Sequence, residues 1–237
     1  MKLSASSLNL FLKCPYAYYL KEIEKVQPEF TEDRVFTGKL VHKTLENYFT
    51  FRKDNPDENP SLLDFLDDAY KELRDNLSNS IQTLNFKDDA VEMLKQYEAT
   101  ARTLQPLETE KEFELEIDDI RITGYIDLIT KDRKVIDFKT TNSTNIKVST
   151  EYKLQLSIYA LTNQGNSYYL HYITPIKTQE IQVKPMKQTL LLQILNQFKN
   201  VYLGGGFTPS GITHPYACQS CAYKHRCVFF QKFIKEG

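Results

Sequence analysis

The chain has 237 residues, 41% of them apolar and 26% charged, which excludes a disordered or fibrous protein. No apolar run reaches bilayer length, and Leu8–Leu12, broken by Asn9 and closed by Lys13, is too short for a secretory signal, so the sequence predicts a soluble, cytoplasmic protein off the membrane. The net charge of −1 hides a split: residues 1–120 hold 15 Lys+Arg against 25 Asp+Glu, and residues 121–237 hold 15 against 6. One half therefore suits a polyanion, while the balance as a whole excludes a uniformly basic DNA reader.

Taken in order, Ser4–Lys13 reads as a short helix with a serine start, and Pro15 restarts the chain into Tyr16–Ile23. Val35–Phe51 carries Val35, Leu40, Val41, Leu45, Tyr48 and Phe49 near helical spacing. Asp54–Asn59, with Pro56 inside it and Pro60 after it, is a loop, followed by helices over Ser61–Leu77 and Phe86–Leu104, the first capped by Ser61 with Asp64. The period then changes to two, with Phe113, Leu115 and Ile117 alternating with Glu112, Glu114 and Glu116. Ile120–Thr130 and Lys134–Lys139 form a hairpin about Lys131–Arg133. A helix over Glu151–Asn163, strands over Ser167–Ile173 and Glu180–Val183, and a helix over Met186–Leu203 stopped by Gly204–Gly206 complete the order. Helices, a central antiparallel sheet and further helices predict one α/β domain over residues 1–237, with a helical insertion at about 52–105.

The chemistry concentrates in GYIDLITKDRKVIDFKTT, Gly124–Thr141. Asp137 and Lys139, two apart on a strand, share one face, and Ile136 and Phe138 take the other. Asp127 and Asp137 lie symmetrically about Asp132, so the hairpin sets them opposite each other on that same face. Paired carboxylates repel unless a cation lies between them, and their hard oxygens suit Mg²⁺ or Mn²⁺. Such an ion polarises a phosphoryl oxygen, and a lysine beside it steadies the charge gained at phosphorus. A lone D-x-K is common on solvated hairpins; the second aspartate on the same face raises its weight.

The order Gly38-x3-His42, Gly-Tyr-Ile-Asp127, Asp137-Phe-Lys139 and Gln155-x3-Tyr159 resembles the PD-(D/E)XK nucleases of the RecB type. The resemblance runs from about Leu3 to Cys227 and implies a restriction-endonuclease-like core, a mixed or antiparallel sheet flanked by helices. It also implies a metal held by His42, Asp127, Asp137 and the main-chain carbonyl of Phe138. Lys139 is then the catalytic lysine beside Asp127 and Asp137, with Gln155 and Tyr159 supporting the site and the DNA backbone. Glu112 joins them as a residue that orients the others.

Cys14 and Cys218-x2-Cys221-x5-Cys227 leave no cysteine over, and their spacing accepts tetrahedral zinc or an iron–sulfur cluster alike. LKCPYAYYL near the start with three cysteines near the end is similar to the iron-staple subgroup, which includes the AddB-type nuclease domains and the CRISPR-associated four-cysteine exonucleases. That resemblance implies a structural 4Fe–4S cluster tying the N-terminal helix to the C-terminal segment.

Lys147, Lys153, Lys177, Lys184, Lys187, Lys199, Lys224 and Arg226 are candidates for a phosphate track, and Tyr16, Tyr18, Tyr19, Tyr168 and Tyr169 for stacking on single-stranded bases. No G-x4-G-K-[ST] motif is present, so unwinding falls to a separate helicase. The expectation is a Mg²⁺- or Mn²⁺-dependent deoxyribonuclease, an exonuclease on single strands or DNA ends. Its rival is an inactive end-binding or scaffold module of a helicase–nuclease or CRISPR adaptation complex.

Overall fold

The computed structural model describes residues 1–29, 32–75, 84–162, 165–210 and 218–235. The expected helix ends at residues 76–77 and 163 lie outside them. The chain divides into two compact units, Met1–Phe30 with Glu114–Gly124 and Met186–Gly237, and Thr31–Phe113 with Tyr125–Pro185.

The second unit carries the hairpin. Its helices are α3 (Glu32–Asp54), α4 (Leu66–Asp75, entered by a tight turn at Leu62–Phe65), α5 (Leu84–Thr103) and α6 (Thr150–Leu161). Ser61 and Asp64 form the expected capping box, Asp64 Oδ2 accepting from Ser61 N at 2.9 Å, although the first turn is 3₁₀. Strand β2 (Pro106–Ile117) and strand β3 (Ile120–Thr130) begin or end in this unit, and β4 (Lys134–Thr140), β5 (Ser167–Ile173) and β6 (Thr178–Gln182) lie within it. Strand β3 pairs antiparallel with β4 at Leu128–Ile136 and Ile129–Val135, the register expected from symmetry about Asp132. Strand β4 then pairs parallel with β5, and β5 antiparallel with β6. The sheet is therefore mixed, where the alternation alone suggested antiparallel. Helix α6 is the crossover that lets β5 run parallel to β4.

The burial pattern follows from this placement. Central β4 is covered on both faces, so Asp137, on the expected polar face, is as buried as Ile136 and Phe138. Leu40, Leu45, Tyr48, Phe49, Leu94 and Tyr97 from the helices meet Leu128, Ile136 and Phe138 from the sheet. The Phe138 ring stacks on Phe49 at 5.9 Å and meets Tyr97 edge-on at 5.7 Å. That ring fixes the strand whose neighbouring residues are Asp137 and Lys139. Gly38, inside α3, has a reason to be glycine: a Cβ there would lie 2.9 Å from Thr140 Oγ1, so its absence lets the helix approach β4 closely.

In the first unit, β1 (Lys2–Leu3) pairs parallel with the start of β3, through Lys2–Arg121 and Leu3–Ile122. Helix α1 (Ala5–Lys13) is capped by Ser4, which accepts from Ser7 N at 3.1 Å, and α2 (Pro15–Tyr18) starts at the proline and leads into a wide turn over Tyr19–Ile23. Helix α7 (Gln188–Gly204) ends at Gly205, whose φ of 65° is the left-handed stop expected from the glycine run. Phe11, Tyr18 and Phe198 pack edge to face, with centroids 5.0–5.9 Å apart. Ala17, Leu20, Tyr223 and Cys227 make a smaller core.

Candidate nuclease site

The hairpin brings Asp127, Asp137 and Lys139 together as the sequence predicts. Lys139 Nζ lies 2.6 Å from Asp137 Oδ2 and donates to Gln155 Oε1 at 3.0 Å. Gln155 Nε2 in turn donates to the Tyr159 hydroxyl at 2.7 Å, so the i, i+4 pair on α6 acts as one relay. That hydroxyl donates to the Tyr125 carbonyl at 2.9 Å, and its 3.4 Å contact with Asp137 Oδ1 is secondary because it carries one proton. Across the hairpin, Asp127 Oδ2 accepts from Phe138 N at 2.7 Å. One step beyond the paired residues, side chains thus satisfy two backbone groups of β3 and β4.

Burial shapes the electrostatics. Asp137 is 1% exposed. Burial pushes its carboxyl up to about 6, and neighbouring Asp127 adds to this, while Lys139 opposes it. Burial pulls the Lys139 ammonium down, but Asp137 and Asp127 outweigh that and leave it raised. Burial, then Asp137 and Asp127, keep Tyr159 protonated and able to donate. Asp137 Oδ2 is engaged by the Lys139 ammonium at 2.6 Å. A buried carboxylate with a second one beside it suits a hard cation.

His42 Nδ1 stands 3.7 Å from Asp127 Oδ2, beyond a hydrogen bond, and its ring meets Phe138 edge-on at 6.2 Å. With Gly38, Lys39, Lys43, Glu46, Glu110, Asp127 and Thr140 it lines an open cavity of about 580 Å³. Among the described residues no three His, Cys, Asp or Glu side chains form a group that could hold a metal. The donors nonetheless fit a hard divalent ion in kind: one imidazole and two carboxylates.

Glu112, named from the sequence as a supporting residue, lies away from this cavity's lining. Glu112 is exposed and receives only the Tyr125 hydroxyl at 3.5 Å. Glu110 lines the cavity instead, and burial, with Asp127 and Glu46, raises its carboxyl to about 7. Its φ of 46° bends β2 locally, which no alternation pattern reveals.

A model of the PD-(D/E)XK nuclease superfamily matches residues 2–228. The chain belongs to that superfamily. Two solved structures resemble this nuclease in fold. The protein SSO0001 matches with a TM-score of 0.50 at 16% identity, over 96% of this chain and 86% of its own. A Eubacterium rectale protein named as a candidate exonuclease matches at 0.55 and 14% identity, over 83% and 76%. No curated protein matches the sequence.

The nuclease's four cysteines all lie in the first unit and line one cavity of about 540 Å³. All four are free thiols. Ser210 N is directed at Cys14 Sγ and Phe230 N at Cys227 Sγ, each at 3.5 Å. Burial, then Cys14, Cys227 and Cys221, raise the Cys218 thiol, as expected where sulfurs crowd together. Thiolates are ligands for zinc and iron in kind, but the four cysteines share a cavity without forming a metal-holding group among the described residues. Of the proposed phosphate track, Lys199 is paired with Asp119 at 2.6 Å. Of the stacking candidates, Tyr18 and Tyr168 are buried. No helix among the described residues is long and apolar enough to cross a membrane.

Proposed function

We propose that this nuclease is a Mg²⁺- or Mn²⁺-dependent deoxyribonuclease, an exonuclease acting on single strands or DNA ends in the cytoplasm. The observation that carries the reading is the chain of contacts Asp137–Lys139–Gln155–Tyr159, closed across the hairpin by Asp127. His42, Asp127, Asp137 and the Phe138 carbonyl are the groups that would hold the cation. Bound there, it would polarise a phosphoryl oxygen and acidify a water. Lys139 keeps its charge against burial, and its ammonium would offset the negative charge that builds on the phosphate during attack. Gln155 and Tyr159 hold that ammonium in place, and the Phe138 ring holds the strand beneath it.

The cysteine cavity is read as the seat of a structural 4Fe–4S cluster, with zinc as the alternative that metal analysis distinguishes. Such a cluster supplies cross-linking between segments far apart in sequence and no step of hydrolysis. A separate helicase, or a CRISPR adaptation complex, is the partner that would supply unwound strands.

The test is cleavage of end-labelled single-stranded DNA with Mg²⁺ or Mn²⁺, using anaerobically purified protein beside Lys139→Ala. Metal-dependent cleavage that falls by at least about 10²-fold in the variant is expected. Cleavage untouched by Lys139→Ala rejects the site, and a folded wild type that binds ends without cutting them is the scaffold module instead.

A further inference from the structure

Tyr125 is the large aromatic side chain that the site leaves unused. It precedes Asp127 by two on β3, so the two side chains share a face of the strand. Continuing the register of Leu128–Ile136 places it opposite Lys139. It is 54% exposed, and no other ring stacks on it among the described residues. Among the described residues its hydroxyl reaches only the exposed Glu112, at 3.5 Å, the outer limit of a hydrogen bond. The backbone beneath it is held, because its carbonyl accepts from Tyr159 at 2.9 Å. Two other tyrosines beside these groups are already engaged: Tyr159 through its hydroxyl with Gln155, and Tyr152 with the Lys139 ammonium 4.7 Å from its ring centroid. More than half of this aromatic side chain is thus open to solvent, on a held backbone two residues from Asp127.

Resting on the nuclease reading, we infer that Tyr125 is the platform on which the base next to the scissile phosphate stacks, and that this contact selects unpaired strands. A base within a duplex has both faces covered by its neighbours, so the ring can engage it only once it is unstacked. Stacking of this kind is tolerant of sequence, because every base has a π-face. It is equally indifferent to a 2′-hydroxyl, so Tyr125 would contribute nothing to a choice between DNA and RNA.

The experiment compares wild type, Tyr125→Ala and Tyr125→Phe on an end-labelled single-stranded oligodeoxynucleotide and on a series with one abasic position moved across the cut. Affinity is measured in parallel by fluorescence anisotropy in the Lys139→Ala background, where nothing is consumed. Tyr125→Ala should raise KM, and the Kd of the Lys139→Ala protein, about tenfold. Tyr125→Phe should stay within about twofold of wild type, because it keeps the ring. One abasic position should cost the wild type the same factor and cost Tyr125→Ala nothing further. The inference is overturned by wild-type affinity in Tyr125→Ala, by equal losses in the Ala and Phe variants, or by an alanine loss that persists on every abasic strand. The two readings fail separately: ring-dependent binding without cleavage sinks the nuclease and keeps the platform, whereas Lys139-dependent cleavage indifferent to Tyr125 does the reverse.

Discussion

Gly38→Ala tests how helix α3 delivers His42 to the site. Within a helix alanine is favoured over glycine by about 1 kcal/mol, so propensity alone makes the variant more stable. The packing opposes this, since the new Cβ would stand 2.9 Å from Thr140 Oγ1, closer than such atoms normally approach. Either Thr140 turns about its stiff β-branched χ1 or α3 lifts away from β4. Overpacking of this kind costs about 1–3 kcal/mol, which leaves a net destabilisation of about 0–2 kcal/mol. Activity is the more sensitive readout, because His42 lies one turn along the same helix. A misplacement of about 1 Å costs roughly 10²-fold, so the smaller shift here should cost about tenfold. Urea melts and single-strand cleavage, measured on Gly38→Ala, Thr140→Ala and the double variant, separate the terms. The double variant should recover both stability and rate, as a coupled pair does. If Gly38→Ala is about 1 kcal/mol more stable and cleaves normally, the close approach is not what seats His42.

Two further outcomes follow from the same geometry. The Glu110 carboxyl is raised from 4.5 to about 7, so the stability it allows is full below its ordinary value and is lost as the pH climbs through the raised one. In metal-free buffer Glu110→Gln should therefore match wild type near pH 4.5 and exceed it at pH 8 by at most about 3 kcal/mol; a difference flat with pH in urea melts would refute the assignment. Cys14→Ser should lose bound metal and visible absorbance when purified anaerobically, and should melt several degrees lower. Wild-type protein that carries neither iron nor zinc would end the reading of the cysteine cavity as a metal seat.

Much of the site was legible because it is local. Symmetry about Asp132 gave the β3–β4 register, and i, i+4 spacing gave the Gln155–Tyr159 contact. What escaped is set by distant parts of the chain or by a single dihedral. The parallel pairing of β4 with β5 depends on where α6 returns the chain, and no period in Ser167–Ile173 encodes direction. The burial of Asp137 depends on β4 being central, which a hairpin read by itself cannot reveal. Glu110 and Glu112 are equivalent under alternation, and only the positive φ at Glu110 separates them. Strand β2 begins at Pro106, earlier than the apolar alternation over 113–117, because its first half is mostly polar.

The two units also differ in when they can form. Thr31–Phe113 and Tyr125–Pro185 contain His42, both aspartates, Lys139, Gln155 and Tyr159, and a ribosome has made them all while Met186–Gly237 is still to come. The unit bearing the cysteines must wait for residues 186–237, since Cys218, Cys221 and Cys227 are made about two hundred residues after Cys14. Domains tend to fold as they emerge. The candidate site residues are therefore all made before the cysteine unit can close, and an interrupted translation would release the former without the latter.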